Sequence, residues 1–237
     1  MDMVALKKDE KQNLPLLGAL LGIWNRNFLH YPTVAVIPYS RMLQRFPAHL
    51  QQCDMESNGK RIDRRASLTK FQTGPIIWGE PGTNAQHSFF QLIHQGTSIV
   101  PLEMIAFLQA QGEHDFVFKG TNSQEKLLSN CFAQAIALAK GQKNPNPNKQ
   151  FPGNRPCSIL LSQKLTPYSL GALLAYYEHK IAFQGFIWGI NSFDQEGVQL
   201  GKVLADKTCS LFAAKRAGTT AEPFALGSAL IDICEEL

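Results

Sequence analysis

Short runs of apolar residues alternate along this chain with stretches of helical spacing, and this alternation restricts the possible folds more than any other feature. The runs "TVAVIPY" (33–39), "SIVPLEMIAF" (98–107) and "CSILLSQ" (157–163) are apolar along most of their length, rather than at every second residue. Strands of this kind are typical of parallel sheets that are covered by helices on both faces. The sequence therefore predicts an α/β fold, a three-layer α/β/α sandwich with a mostly parallel sheet, plus terminal helices.

The intervening segments supply the helices and two further strands. Ser123 and Thr166 are the expected N-caps of two helices, and Asn58-Gly59 is a stop signal. The predicted helices are 14–28, 40–57, 86–94, 123–141, 167–180 and 196–206, and the additional predicted strands are 74–79 and 186–193. The expected organisation is a leading segment over 1–13, a main domain over 14–208 and a helical tail over 209–237.

Composition excludes several classes of function. The 237 residues carry a formal charge of +4, and the basic residues show no finger spacing or basic helix, so no nucleic-acid partner is expected. The apolar run over 14–24 is too short to span a membrane. Five cysteines without C-x-x-C spacing indicate reduced thiols and a cytoplasmic protein. The histidines show no metal-ligand spacing, and "GEPG" lacks a dinucleotide fingerprint, so no metal or other cofactor is expected.

Polar residues stand out at three predicted junctions between strands and helices. Glu56 lies in the last turn of a predicted helix, where the helix dipole disfavours a carboxylate, so it is either a surface charge or a base held in a cleft. His87 follows "GEPGTNAQ" and is expected in the first turn of a helix. The flexible loop suits an anion or a hydroxylated ligand, although a lone histidine can equally be structural.

The third junction, "NSFDQEGVQLGK" (191–202), contains Gln195 and Lys202. Their spacing of seven places both on roughly one helix face. Lys202 is either an ordinary exposed lysine or, because Val198 and Leu200 flank it, a half-buried ammonium. A carboxylate, an imidazole and an ammonium at one sheet would together serve proton transfer on a polyol or sugar.

These junctions also carry a family resemblance. The segments "DMESNGK", "TGPIIWGEPGTNAQHSFFQLIHQGT" and "INSFDQEGVQLGK" resemble motif blocks of the glucose-6-phosphate isomerase (phosphoglucose isomerase) family, and "LLGIWNRNF" and "KLTPYSLGALLAYYEHKI" fit that family too. The resemblance runs from about residue 11 to about residue 206. It implies that the main domain is the family's second sugar-isomerase (SIS-type) domain.

The resemblance implies an isomerase that interconverts glucose 6-phosphate and fructose 6-phosphate without a cofactor. Glu56 matches the base that moves a proton between C1 and C2 through a cis-enediol. His87 and Lys202 match the residues that open the sugar ring, and Gln52 and Gln195 match substrate contacts. The family's histidine reaches the neighbouring subunit's active site, so the expected partners are the sugar phosphate and a second copy of the chain.

The chain also departs from the family pattern. Family members are roughly twice as long, and their phosphate-binding Ser/Thr loops and an enediolate-stabilising arginine would precede Met1. We therefore expect a truncated product, a split gene or a fragment, which needs a separate N-terminal half for catalysis. The alternative expectation is a non-catalytic remnant or a sugar-phosphate-binding module. The pattern is followed least closely after Lys207.

Overall fold

The computed structural model describes residues 12–112 and 114–236, so most of the predicted leading segment lies outside the described residues. The chain divides into two compact units at the boundary between Ser192 and Phe193. The first unit contains the sheet, and the second unit is helical.

A four-stranded parallel sheet forms the centre of the first unit, with the strand order β2-β1-β3-β6. Its strands are β1 (Thr33–Pro38), β2 (Ile76–Trp78), β3 (Leu102–Phe107) and β6 (Cys157–Ser162). A separate antiparallel hairpin joins β4 (Val117–Phe118) to β5 (Thr121–Asn122). The four strands of the main sheet fall within predicted apolar runs, which confirms these predictions.

Helices connect these strands and cover them. The helices of the first unit are α1 (Leu14–Ile23, extended by a π-helical turn over Trp24–Phe28), α2 (Phe46–Leu50), α3 (Gly82–Ser88), α4 (Phe90–Gln95), α5 (Ser123–Lys140) and α6 (Pro167–Trp188). A 3-10 turn (Arg41–Leu43) precedes α2, and a π-helical segment (Gln51–Glu56) follows it. Another 3-10 turn (Pro147–Lys149) lies in the loop before β6.

Two separate hydrophobic clusters cover the two faces of the sheet. In β1, Ala35 and Ile37 pack into one cluster with side chains of α3, α4 and α5, while Val34 and Val36 pack into the other with side chains of α2 and α6. Successive strand residues point to opposite faces, so a strand buried on both sides must be apolar at every position. The predicted three-layer α/β/α architecture is confirmed.

Helix α1 packs closely against α6 through two glycines. A Cβ atom at Gly18 would lie 2.3 Å from Oη of Tyr176, and one at Gly22 would lie 2.2 Å from Nε2 of Gln184. Any side chain at these positions would therefore have to displace the facing residue of α6. This approach brings α1 over polar side chains that point inward from α6.

The strand predicted over 186–193 is wrong. Helix α6 continues to Trp188 and ends at Gly189, which has the left-handed conformation (φ +65°) typical of a C-cap. Lys180, Gln184 and Trp188 are all buried and lie four residues apart. The helical burial pattern thus continues through aromatic and β-branched residues that by themselves favour a strand.

Two helix starts also differ from prediction. The N-cap of α5 is Asn122 rather than Ser123, because the Asn122 side chain accepts from the Glu125 amide at 2.7 Å while the Glu125 carboxylate accepts from the Asn122 amide at 2.8 Å. The helix predicted from Gln86 begins earlier, at Gly82, and is interrupted at Phe89. The cap predicted at Thr166 is confirmed, with Pro167 at the first helical position.

The second unit contains a 3-10 turn (Glu196–Val198) that leads into α7 (Gln199–Ala217), followed by α8 (Ala225–Glu236). Gly218 ends α7 in the left-handed conformation. Lys215 of α7 and Asp232 of α8 form an ion pair at 2.8 Å. Among the helices that the structure describes, none combines the length and the apolar character needed to cross a membrane.

Candidate functional site

The segment that carries Gln52 and Glu56 is a wide helical turn. After α2 the backbone has π-helical geometry over Gln51–Glu56, and two further helical residues lead to Asn58. The helix predicted over 40–57 is thus present, but as successive 3-10, α and π segments. Single π-helical turns occur frequently at functional sites. Gln52 is exposed and Glu56 is half-buried.

Side-chain hydrogen bonds fix this segment to the rest of the first unit. Gln51 Nε2 donates to the carbonyl of Ile77 in β2 at 3.1 Å. Asn58 is fully buried, and its Nδ2 donates to Asp54 Oδ1 at 3.2 Å and to the Ile181 carbonyl in α6 at 3.1 Å. The turn is therefore held from the sheet on one side and from α6 on the other.

A buried cluster of charges lies beside the turn. Asp54 is 4% exposed, and burial raises its pKa to about 6, although the nearby ammonium of Lys180 and the hydrogen bond from Asn58 act in the opposite direction. The Lys180 ammonium is paired with the carboxylate of Glu103. Burial is the largest single influence on the pKa of Lys180 and lowers it, but Glu103, Tyr176 and Asp54 together outweigh burial, so the pKa is raised.

Sequence reasoning missed this cluster, although two signals were visible. Glu103 is the single charge within the apolar run 98–107, and Lys180 falls on the buried stripe of α6 at helical spacing from Tyr177 and Gln184. Lysine and glutamate are almost never buried unless they are paired. These two residues are 77 positions apart in sequence, so periodicity could reveal each anomaly but not the pairing.

His87 lies in the last turn of α3, not in the first turn of a helix as predicted, and it is exposed. The helix starts at Gly82, so the glycine-rich stretch is helical from Gly82 onward, whereas residues 79–81 are not helical. A Cβ at Gly82 would lie 2.5 Å from the ring of Tyr39, and Gln86 donates to the Tyr39 hydroxyl at 3.1 Å. Close packing on the residue that follows β1 thus explains this glycine.

Glu56 and His87 lie at opposite edges of the sheet. The turn of Glu56 is at the amino-terminal edge, because Thr73, which precedes β2, donates to the Lys60 carbonyl at 2.5 Å. His87 is at the carboxyl-terminal edge, because α3 follows β2 directly and packs on Tyr39. The six-residue strand β1, which pairs with β2, runs between these two edges and spans about 17–20 Å. Within one chain, the structure does not bring these two side chains together.

Gln195 and Lys202 belong to the second unit. Gln195 precedes the 3-10 turn and is exposed, and Lys202 lies in the first turns of α7 and is also exposed. The expectation of a half-buried ammonium is wrong, because Val198 and Leu200 are 43% and 68% exposed and do not enclose the lysine. Of the two alternatives drawn from the sequence, the exposed lysine is the one observed.

Potential metal ligands are scattered in the part of the chain that the structure describes. Within residues 12–112 and 114–236, no group of three or more His, Cys, Asp or Glu side chains is arranged to hold a metal ion. The chemistry that these residues offer in the first unit is that of a half-buried carboxylate supported by buried polar groups.

Comparison with known proteins gives consistent matches. The family model described as phosphoglucose isomerase matches residues 1–223. The glucose-6-phosphate isomerase of Protochlamydia amoebophila (strain UWE25) is 65% identical over 98% of this chain, and that of Chlamydia felis (strain Fe/C-56) is 61% identical over 92%. The chain spans 43% and 41% of the length of these two relatives.

Solved structures agree with these matches. A glucose-6-phosphate isomerase from Chlamydia trachomatis D/UW-3/Cx has a TM-score of 0.89 and 55% sequence identity, covering 98% of this chain and 43% of its own. A hypothetical protein from Thermus thermophilus has a TM-score of 0.73 at 24% identity, over 87% of this chain and 48% of its own. The second likeness concerns the fold alone.

Proposed function

The chain belongs to the phosphoglucose isomerase family, and we propose that it is the C-terminal part of a cytoplasmic isomerase that interconverts glucose 6-phosphate and fructose 6-phosphate. The observation that carries this proposal is the 65% identity to a glucose-6-phosphate isomerase over nearly the whole chain. Because the chain spans less than half of that relative, catalysis is proposed to require a second chain that supplies the remaining domain.

Glu56 is the proposed base, which takes a proton from one of C1 and C2 and returns it to the other through a cis-enediol. The support is local: its turn is held by buried hydrogen bonds, and the exposed Gln52 on the same turn is available to contact substrate. A positioned general base contributes on the order of 10²–10⁴ in rate. Lys202 and Gln195, both exposed, are the proposed ring-opening and substrate-contacting groups of the second unit.

His87 is proposed to act in the site of a second subunit. It is exposed, and the length of the sheet separates it from Glu56 of its own chain. A symmetric dimer in which each subunit presents this edge to its partner would let one chain's His87 complete the other chain's site.

The first experiment measures the conversion of fructose 6-phosphate to glucose 6-phosphate. The purified chain is assayed alone and together with the rest of the Protochlamydia relative, which is added as a separate chain. We expect activity only in the combination, and Glu56→Gln should lower kcat by at least about 10²-fold. Glu222→Gln, which removes an exposed carboxylate of the second unit, is the control. Full activity in Glu56→Gln would exclude Glu56 as the base.

A mixing experiment tests the proposed role of His87. With the complementing chain present throughout, Glu56→Gln and His87→Ala chains are each expected to be inactive, but mixed dimers contain one site with both functional residues. Random mixing should restore about a quarter of the wild-type activity. Absence of recovery, in dimers shown to exchange subunits, would place His87 in the site of its own chain or outside catalysis.

A non-catalytic sugar-phosphate-binding module is the second candidate function. It is favoured by the short coverage of the relatives and by the exposure of Lys202. Calorimetric binding of fructose 6-phosphate by the chain, without turnover in either assay, would support this candidate over the isomerase.

A further inference from the structure

We propose that Asn58 is a positioning residue whose buried carboxamide fixes the orientation of Glu56. This proposal rests on the role given to Glu56 above. It concerns a residue that does not itself have to touch substrate, because Asn58 is 0% exposed.

The carboxamide of Asn58 connects three parts of the first unit. Its two N–H groups donate to Asp54 Oδ1 and to the Ile181 carbonyl, and its oxygen accepts from Ser192 Oγ at 2.9 Å. The last two partners are 123 and 134 residues away in sequence. Asn58 therefore ties the turn to α6 and to the segment that follows α6.

The position of these bonds along the turn makes them relevant to Glu56. Asp54 lies two residues before Glu56 and Asn58 two residues after it, so the hydrogen bond between them spans the backbone that carries the glutamate. Rotation or translation of that backbone would require this bond or the bond to Ile181 to break. The two bonds thus limit where the Glu56 carboxylate can point.

Glycine packing leaves little room for the network to shift. A Cβ at Gly185 of α6 would lie 1.9 Å from Ser192 Oγ and 3.1 Å from Asn58 Oδ1, and one at Gly74 would lie 3.0 Å from the Asn58 carbonyl oxygen. The backbones of α6 and of the loop before β2 therefore close in on Asn58 from two sides. The carboxamide is confined as well as hydrogen-bonded.

The chemistry of the three bonds selects asparagine. An amide offers two N–H donors and an acceptor oxygen on one short side chain. Aspartate would lose both donors and place a second carboxylate against Asp54, and an apolar residue would leave the Ile181 carbonyl and Asp54 without these donors. Catalytic groups need locked supporting side chains, because a displacement of about 1 Å can cost roughly 10²-fold in rate.

The test compares Asn58→Ala and Ser192→Ala with the control Asn130→Ala, which removes a surface hydrogen bond to the Lys126 carbonyl in α5. The first measurement is the ¹³C NMR signal of the Glu56 carboxyl carbon, assigned with Glu56→Gln. The second is amide hydrogen exchange over 52–58, with amides of β3 as the reference for global unfolding. The third is kcat and KM in the active combination of chains.

In Asn58→Ala we expect a shifted or broadened Glu56 signal, exchange over 52–58 faster by about tenfold relative to β3, and kcat lower by about 10–100-fold with a smaller change in KM. Ser192→Ala should change the first two measurements in the same direction by less, and Asn130→Ala should change none. Ser192→Ala removes only one hydroxyl group, so this variant tests the proposal if Asn58→Ala does not fold.

An unchanged Glu56 signal and unchanged exchange in both variants would overturn the proposal. An unchanged kcat in a folded, active Asn58→Ala assembly would overturn it as well. If the wild-type combination shows no isomerase activity, the proposed function fails, while the NMR and exchange measurements still decide whether Asn58 orients Glu56.

Discussion

Lysine–carboxylate ion pairs occur in both compact units, and their environments differ sharply. In the first unit, the side chains of Lys180 and Glu103 are 6% and 15% exposed, whereas those of Lys215 and Asp232 in the second unit are 41% and 66% exposed. Charges in water lose little when a partner is removed, but a buried charge without a partner keeps the full cost of its desolvation. Removing one partner of the ion pair should therefore destabilise the first unit more than the second unit.

The same contrast applies to the proposed catalytic residues. Glu56 stands on a turn fixed by buried hydrogen bonds, whereas Lys202 stands on α7, a helix without a buried residue. Packing within the first unit thus orients Glu56. In the second unit, by contrast, Lys202 is exposed and not enclosed by its neighbours. The comparison can be tested by substitutions whose expected effects decrease from the buried pair to the exposed pair.

The largest effect is expected for Lys180→Met. This change leaves the carboxylates of Glu103 and Asp54 in the interior without the ammonium that offsets them, and it should lower the free energy of unfolding of the first unit by about 3–5 kcal/mol. Urea unfolding followed by tryptophan fluorescence measures this unit selectively, because Trp24, Trp78 and Trp188 all lie in it.

The control for this prediction is Lys143→Met, at an exposed lysine in the loop after α5, which should change stability by less than about 0.5 kcal/mol. The double variant Lys180→Met/Glu103→Gln should recover much of the loss, since it removes both charges of the pair. Equal stability of Lys180→Met and the wild type would show that burial does not distinguish the two ion pairs.

The second largest effect is expected for Asp54→Asn and depends on pH. Burial raises the Asp54 pKa from about 3.9 in the unfolded chain to about 6, so the folded state binds more protons than the unfolded state between these values. The free energy of unfolding should therefore fall as pH rises from 4 to 6, by about 3 kcal/mol for two pKa units. Asp54→Asn should lack this fall.

The measurement is the same urea titration at several pH values from 4 to 7. Asp63→Asn is the matched control, because amide hydrogen bonds from Ser67 and Arg65 lower the pKa of this exposed carboxyl. A lowered pKa contributes stability that is lost only below about pH 4. Above pH 4, the free energy of unfolding of this variant should therefore change with pH in the same way as that of the wild type. Parallel curves for the wild type and Asp54→Asn would contradict the raised pKa.

A smaller effect is expected at the helix N-termini, which also differ between the units. Thr166 caps α6 through a reciprocal hydrogen bond with Ser169, whereas Val198, at the start of α7, provides no side-chain cap. Thr166→Ala should lower the stability of the first unit by about 1 kcal/mol. Ser123→Ala should cost less than about 0.5 kcal/mol, because Asn122 is the true cap of α5. If Ser123→Ala lowered stability as much as Thr166→Ala, Ser123 rather than Asn122 would be the cap of α5.

Much of this fold could be predicted from sequence because it depends on local patterns. Strands β1 and β3 are buried on both faces and are therefore apolar at nearly every position, and Thr166-Pro167 is an unambiguous helix start. The segment 186–193 could not be assigned in this way. Its local preference favours a strand, but burial of Trp188 and the hydrogen bond from its indole N–H to Asn27 Oδ1, 161 residues earlier, keep the chain helical as far as Trp188.

The candidate site was less predictable, because its supporting contacts are distant in sequence. A carboxylate at Glu56 could be selected from its unfavourable place at a helix end, but the partners of Asn58 could not be paired from spacing alone. The sequence pattern misplaces His87 within its helix, because a glycine in a polar stretch indicates a flexible loop, whereas Gly82 is helical and permits contact with Tyr39. Local signals identified the unusual residues, and packing determined what they contact.

The smallest effect is expected for Lys215→Ala in the second unit. An exposed ion pair contributes about 0.2–1 kcal/mol, and the position of Lys215 in the last turn of α7 adds a similarly small interaction with the helix dipole. Because the unit has no tryptophan, amide exchange over 199–217 is the suitable measurement, with the exposed Lys207→Ala as control.

Salt screens both the ion pair and the interaction with the helix dipole. The difference in exchange between Lys215→Ala and Lys207→Ala should therefore shrink as salt is raised from about 0.05 to 0.5 M. A loss as large as that of Lys180→Met, insensitive to salt, would mean that this helix pair shields its charges from water as effectively as the interior of the first unit does.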